Sequence, residues 1–74
     1  MKTVQLSQIL TNVEFNRARI LYKQLKDTGT FASTLTEEII APNIERINKA
    51  LGQENDPKFL AYAVEYVLSQ GGAK

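Results

Sequence analysis

The chain has 74 residues and a formal net charge of +1, so it is expected to form one small helical domain, residues 1–74, whose core is marginal on its own. It contains no cysteine and no histidine, which excludes disulfides and metal sites built on thiolate or imidazole ligands. With those sources of stability excluded, helix packing or oligomerisation must stabilise the domain. The near-zero net charge argues against a strongly electrostatic partner such as duplex DNA.

The first predicted helix spans residues 4–27 and ends at the turn signal Thr28-Gly29-Thr30. It carries two apolar rows at helical spacing, which point about a quarter to a third of a turn apart. Either the other helices of the chain cover both rows, or one row packs inside and the other meets a partner. The first row is Leu6, Leu10, Val13, Arg17, Ile20 and Gln24, and the second is Phe15, Ala18, Tyr22 and Leu25.

Arg17 and Gln24 interrupt the first row at positions that the spacing treats as core. A polar group buried without a partner costs roughly 1–3 kcal/mol, so a polar residue there indicates a contact that uses it. Such residues often fix the register of an oligomer. The simpler alternative is that the Arg17 stem lies on apolar surface while its guanidinium reaches water.

The second predicted helix spans residues 34–51, with Thr34 and Glu37 in the spacing of a capping box and Gly52 as the C-terminal cap. Phe31, in the linker before it, is expected to fold back over the end of the bundle as a plug; an exposed Phe31 would instead indicate a contact point. The apolar face of the helix is Leu35, Ile39, Ile40, Ile44, Ile47, Ala50 and Leu51.

Pro42 interrupts this second helix, because it removes a backbone donor and disfavours helical angles at Ala41. The helix either bends at Pro42 or breaks into two pieces there. The apolar face keeps its phase across Pro42, which favours the bend. Asn43 lies close enough to bond a carbonyl that the proline leaves without a donor.

The third predicted helix spans residues 57–70, opened by Asp56 as N-cap and Pro57 as first residue, and stopped by Gly71-Gly72. Apolar residues cover more than half of its circumference, as they do in the first helix, and this double surplus favours a homodimer. The apolar set is Phe59, Leu60, Ala63, Val64, Tyr66, Val67 and Leu68, and the polar side is Lys58, Tyr62, Glu65 and Ser69.

Charge is unevenly placed along the chain. Residues 1–27 hold five basic residues against two acidic ones, and residues 28–56 hold two basic residues against five acidic ones. Attraction between neighbouring helices is the simplest consequence, worth a few tenths of a kcal/mol per exposed pair. The N-terminal segment does not have the pattern of a signal peptide, and the apolar run 59–68 is too short to span a bilayer, so we expect a cytoplasmic protein.

The sequence therefore predicts an all-α fold, a three-helix bundle with a second helix bent at Pro42. No motif indicates an enzyme, a metal or a cofactor, since the best carboxylate cluster, Glu37, Glu38 and Glu45, lies on a polar helix face. The function predicted is a protein–protein interaction module, a small regulator or adaptor that self-associates. The partner-binding candidates are Arg17, Tyr22, Gln24, Tyr62 and Tyr66, and each tyrosine has the alternative of a boundary residue with a buried ring.

Nucleic-acid binding is the second hypothesis. The polar strip of the first helix could follow a phosphate backbone. The third helix does not fit a recognition helix, because its first half is apolar and the loop before it is acidic. The candidate residues are Asn16, Arg19, Lys23 and Lys26.

Overall fold

The computed structural model describes residues 6–71, which form helices and turns with no strand, so the all-α prediction is confirmed. Val4, at the predicted start of the first helix, and Gly72, at the predicted end of the third, lie outside the described residues. The elements are α1 (Leu6–Ile9), α2 (Asn12–Leu25), α3 (Phe31–Leu35), a π-helix (Thr36–Ile40), a 3₁₀ turn (Ala41–Asn43), α4 (Ile44–Leu51) and α5 (Pro57–Ser69).

The prediction of one continuous first helix is wrong, because Thr11 separates α1 from α2. Thr11 has extended backbone angles, φ −73° and ψ 171°, and acts as the N-cap of α2. Its Oγ1 accepts from the Glu14 N–H at 3.2 Å, while Glu14 Oε1 accepts from the Thr11 N–H at 3.0 Å. This is a complete capping box, which satisfies two donors that a helix start would otherwise leave unpaired. The break turns Ile9 and Leu10 together into the core.

We expect Thr11→Ala to lower the free energy of unfolding by about 0.5–2 kcal/mol, the usual cost of losing an N-cap hydroxyl. Urea denaturation followed by circular dichroism measures the change. Thr34→Ala is the matched control, because Thr34 lies inside α3 and its hydroxyl has no hydrogen bond to a described residue. Equal losses in the two variants would contradict the capping role of Thr11.

The predicted capping box at Thr34 and Glu37 is wrong, because the helical stretch begins earlier, at Phe31. The Thr34 N–H donates to the Thr30 carbonyl at 3.0 Å, which places Thr34 within a helical turn rather than before it. Phe31 itself is buried, and its ring meets Tyr22 edge-on, with 5.2 Å between ring centroids. The predicted burial of Phe31 is thus confirmed, although it opens a helix instead of lying in a linker.

Around Pro42 the backbone stays helical but changes its winding. The Ala41 N–H donates to the Thr36 carbonyl, five residues back, and the Ile44 N–H donates to the Ala41 carbonyl, three residues back. Ala41 keeps helical angles, φ −60° and ψ −43°, contrary to the expectation for a residue before proline. We attribute this to the π turn, which changes the carbonyl that faces the proline ring. Asn43 Nδ2 donates to the Ile39 carbonyl at 2.7 Å, as predicted.

The C-terminal end of α4 and the N-terminal end of α5, on either side of the loop between them, follow the sequence prediction. Gly52 closes α4 in the left-handed conformation, with φ +76°, which only glycine adopts without strain. Asp56 caps α5 by accepting from the Lys58 N–H at 2.9 Å, and Pro57 is the first helical residue.

The core lies where α3 and the π-helix pack on α5, with α2 against α3 and α5, and α4 against α1. Among residues 6–71 every buried residue is apolar. Ala50, predicted on the apolar face of the second helix, is exposed, since α4 buries only Ile47 completely. The buried set is Ile9, Leu10, Ala18, Phe31, Leu35, Ile39, Ile40, Ile47, Leu60, Ala61, Val64 and Leu68.

Candidate interaction surfaces

The two apolar rows of the first predicted helix separate in the structure. The second row packs inward: Ala18 is buried, and its other members are half-buried against the core. The first row leaves the core after Leu10. Val13 is 78% exposed and Ile20 is 57% exposed, and the two lie seven residues apart on the same side of α2. One apolar row is therefore covered within the chain and the other is uncovered.

We call the exposed side of α2 the α2 face. Val13 and Ile20 lie along its middle, and helical spacing places three polar residues on one flank and two on the other. The first flank is Asn16, Arg19 and Lys23, and the second is Arg17 and Gln24, all of them exposed.

Arg17 and Gln24 are exposed, so they are not polar groups buried in the core of the chain itself. Their role in fixing the register of an oligomer stays a prediction. Both side chains are exposed, because Ala18, not Arg17, is the residue of α2 that faces inward. The Arg17 Nη2 lies 3.1 Å from Glu38 Oε1, an ion pair between the basic and acidic parts of the chain. An exposed pair of this kind contributes less than about 1 kcal/mol.

The basic strip proposed for nucleic acid is solvent-exposed along its whole length. Arg19 donates to Asn16 Oδ1 at 2.8 Å, and its guanidinium lies 5.6 Å from the centroid of the Phe15 ring. Within the described part of the chain, no carboxylate lies within 4.0 Å of the charged nitrogens of Arg19, Lys23 or Lys26.

A groove of about 240 Å³ borders this strip, between α2 and the end of α5. Tyr22 lies in its wall, half-buried, with its ring held against Phe31. The position of Tyr22 therefore agrees with the alternative given for each tyrosine, a residue at the boundary of the core. The groove is lined by Arg19, Tyr22, Lys23, Lys26, Leu68 and Gly71.

The exposed side of α5 carries three aromatic rings, which we call the aromatic stripe. Phe59 is 48% exposed, Tyr62 is 51% exposed and Tyr66 is 67% exposed. Their spacing of three and then four residues puts them on one helix face. Phe59 and Tyr66, which were counted with the apolar set of this helix, lie outside the core, since Leu60, Ala61, Val64 and Leu68 fill the buried side.

Phe59 is therefore a candidate that the sequence reasoning missed. The signal that could have found it is the aromatic spacing of Phe59, Tyr62 and Tyr66, which continues a stripe on one side of the helix. Phe59 was predicted only as a member of the apolar set of the helix, and Ala61, which is buried, was left out of that set.

A second hollow, of about 260 Å³, lies where the start of α5 meets α3 and the π-helix. Its lining includes two acidic residues, Glu37 and Asp56. Within residues 6–71, no group of three or more acidic, histidine or cysteine side chains is arranged to hold a metal ion. The hollow is lined by Ser33, Thr36, Glu37, Asp56, Pro57 and Lys58.

Comparison of the chain with protein-family models, with curated proteins and with solved structures finds no match. Among the described residues, none of the helices combines the length and the apolar character needed to cross a membrane.

Proposed function

We propose that this chain is a non-enzymatic helical protein–protein interaction module, a small regulator or adaptor, that self-associates through the aromatic stripe of α5. The observation that carries the proposal is the exposure of Phe59, Tyr62 and Tyr66 on one helix face. Aromatic residues are enriched and charged residues depleted at the centres of protein interfaces. The charged residues of α5, Lys58 and Glu65, lie on the edge of this face rather than between the rings.

The aromatic stripe suits a second copy of the chain better than the α2 face does. In a two-fold symmetric contact, a surface meets its own copy, so each charge meets a like charge near the axis. The stripe brings no charge to that contact. The α2 face would bring Arg19 and Lys23 against their copies. Tyr62 and Tyr66 are thus the proposed contact residues, joined by Phe59.

The expected affinity follows from the area on offer. An aromatic side chain buries roughly 150–250 Å² in full, so three that are about half-exposed offer about 300 Å² per copy. At about 25 cal/mol per Å², the contact between two copies gains at most about 15 kcal/mol. Association costs roughly 4–15 kcal/mol. The difference is between 0 and about 11 kcal/mol. The aromatic side chains of the two copies bury only about 600 Å² together, below the total area of a stable interface, so we expect a weak dimer with a Kd in the micromolar range or above.

Sedimentation equilibrium over a wide range of protein concentrations tests this. The unmodified chain is expected to approach twice its mass of 8.3 kDa as the concentration rises through the micromolar range. The double variant Phe59→Lys, Tyr66→Lys should shift the midpoint at least about tenfold, because it places like charges at the symmetric contact. Both substitutions are at exposed positions, so circular dichroism should show an unchanged helix content.

The matched control is Val13→Lys, Ile20→Lys, which makes the same chemical change on the α2 face. This control should dimerise like the unmodified chain. Loss of the dimer in the control, with retention in the α5 variant, would transfer the contact to α2. A monomer at every concentration would contradict self-association.

The finer architecture and the location belong to the same proposal. The helical stretches of residues 6–25, 31–51 and 57–69 are taken to form a three-helix bundle whose second member bends at Pro42. The support is the changed winding on both sides of Pro42 and the bond from Asn43 to the Ile39 carbonyl. A cytoplasmic location is supported by the absence of cysteine, a residue that extracellular domains of this size often use for disulfides.

Nucleic-acid binding remains the second candidate, and one observation favours it. Arg19, Lys23 and Lys26 are exposed beside a groove that has Tyr22 in its wall, a combination of cations and an aromatic ring that suits a single strand. The observation against it is the exposure of Val13 and Ile20 along the middle of the same face, where a phosphate backbone makes no use of aliphatic side chains.

A further inference from the structure

We infer that the α2 face is a second docking surface, separate from the aromatic stripe, and that its partner is an acidic amphipathic helix. Val13 and Ile20 are the apolar centre of this surface, 78% and 57% exposed. They lie about 10 Å apart along the helix axis, two turns of an α-helix. A partner helix that presents apolar residues at the same seven-residue interval meets both of them.

The charge of the partner follows from the flanks of the α2 face. Arg19 and Lys23 line one flank, and no carboxylate among the described residues lies within 4.0 Å of either. Glu14, the one carboxylate within Asn12–Leu25, is turned away, because it is bonded to Arg46 at 2.6 Å and to the Thr11 N–H. The flank is thus left with positive charge, which attracts carboxylates and repels a basic partner.

The opposite flank limits the reach of that charge. Arg17 is paired with Glu38 at 3.1 Å, so it contributes less positive potential than Arg19 or Lys23 does. The partner's carboxylates are therefore expected on the side of Arg19, Lys23 and the groove next to them. Beyond the C-cap Lys26, the exposed Asp27 ends the basic region, which sets the length of the contact at that end.

A second copy of the chain does not fit this surface, because two α2 faces in symmetric contact would bring Arg19 and Lys23 of each copy together. A phosphate backbone would satisfy the cations but would leave the two aliphatic side chains in water. An acidic helix with an apolar row satisfies both features at once. The inference does not depend on the dimer through α5.

The test uses the full chain and labelled peptides of about two heptads, measured by fluorescence anisotropy. The probe peptide carries Leu at seven-residue and four-residue intervals with Glu elsewhere. Three comparison probes are a peptide of Glu and Ser without Leu, a peptide with the same Leu pattern and Lys in place of Glu, and a single-stranded oligonucleotide. We expect the chain to bind the Glu/Leu peptide more tightly than the other three probes. The affinity for the Glu/Leu peptide should fall at high salt.

Two variants of the chain separate the apolar and charged parts of the surface. The double variant Val13→Ser, Ile20→Ser should weaken binding of the Glu/Leu peptide at least about tenfold, because it removes the apolar contact. The double variant Arg19→Glu, Lys23→Glu should lower the affinity for the Glu/Leu peptide by a similar factor, and it should raise the affinity for the Lys/Leu peptide. Lys49→Glu, an exposed cation of α4, and Phe59→Lys, Tyr66→Lys on α5 are controls that should keep the original affinity.

The inference is overturned if the Glu/Leu peptide does not bind, or if it binds equally to the Val13 and Ile20 variant. Preference for the oligonucleotide, lost on changing Arg19 and Lys23, would replace it with nucleic-acid binding. Loss of peptide binding in the α5 variant would instead show that both activities use one surface.

Discussion

Phe31→Ala is expected to lower the free energy of unfolding by about 3–5 kcal/mol, the usual loss for a buried phenylalanine. Phe31 is 1% exposed and is among the largest completely buried side chains of residues 6–71. The Phe31→Ala variant also loses the edge-on ring contact with Tyr22, and this contact joins the start of α3 to α2. A domain of this length has a total stability of about 4–11 kcal/mol, so the variant is left close to unfolding at room temperature.

Urea denaturation followed by circular dichroism measures this loss, and Phe59→Ala is its matched control. Phe59 is about half-exposed on α5, so its removal should change the free energy of unfolding by less than about 0.5 kcal/mol. If Phe31→Ala does not fold at all, Phe31→Leu gives a smaller and measurable loss, because it fills part of the cavity. A loss at Phe59 as large as that at Phe31 would mean that the aromatic stripe is not exposed in solution.

The features that the sequence predicted correctly depend on short, local signals. Asp56-Pro57 at the start of α5 and Gly52 at the end of α4 each act within one helical turn, so neighbouring residues suffice to place them. The bond from Asn43 to the Ile39 carbonyl has the same local character. The presence of helices in each region follows from hydrophobic periodicity over longer segments.

The break at Thr11 was missed although its signal is also local. Thr11 and Glu14 have capping-box spacing, but the apolar row continues through them from Leu10 to Val13. Periodicity was given more weight than the cap. The structure shows that the cap prevails: Thr11 has extended backbone angles, and Ile9 and Leu10 just before it are both buried.

Which apolar row faces solvent could not be decided from the sequence. The two rows have the same spacing and similar composition, and the choice depends on residues distant in the chain. Ala18 is small enough for close packing, and Phe31 fills the space beside Tyr22. The row that contains Ala18 and Tyr22 therefore faces the core. Val13 and Ile20 are exposed as a consequence of that tertiary packing.

The same reasoning explains the candidate residues. Tyr62 and Tyr66 were placed among the contact residues, and the structure finds them side by side on α5 with Phe59. Arg17 was judged core-like because periodicity alone does not separate a polar residue inside an apolar row from one at its edge. Its pairing with Glu38 links residues 21 positions apart, which no local pattern reveals.

Ile47→Ala is expected to lower the free energy of unfolding by about 2–5 kcal/mol, through lost burial and the cavity that remains. Ile47 is completely buried and is the only buried residue of α4, which packs against α1. Its neighbour Arg46 bonds Glu14 at 2.6 Å and approaches the Ile9 carbonyl at 3.5 Å. Loss of Ile47 therefore also loosens the contact that holds α4 over the break between α1 and α2.

Ile20→Ala is the control for this variant and connects stability to function. Ile20 is 57% exposed, so removing it should change the free energy of unfolding by less than about 0.5 kcal/mol. Ile20→Ala should also weaken binding of the Glu/Leu peptide. Ile47→Ala should leave the affinity of the folded molecules for this peptide unchanged. Hydrogen exchange at the Leu10 amide, which donates to the Leu6 carbonyl at 2.9 Å, reports the loosened contact and should be faster in Ile47→Ala than in Ile20→Ala. If Ile20→Ala destabilised the chain as strongly as Ile47→Ala, the α2 face would belong to a covered core, and no partner would be needed to explain it.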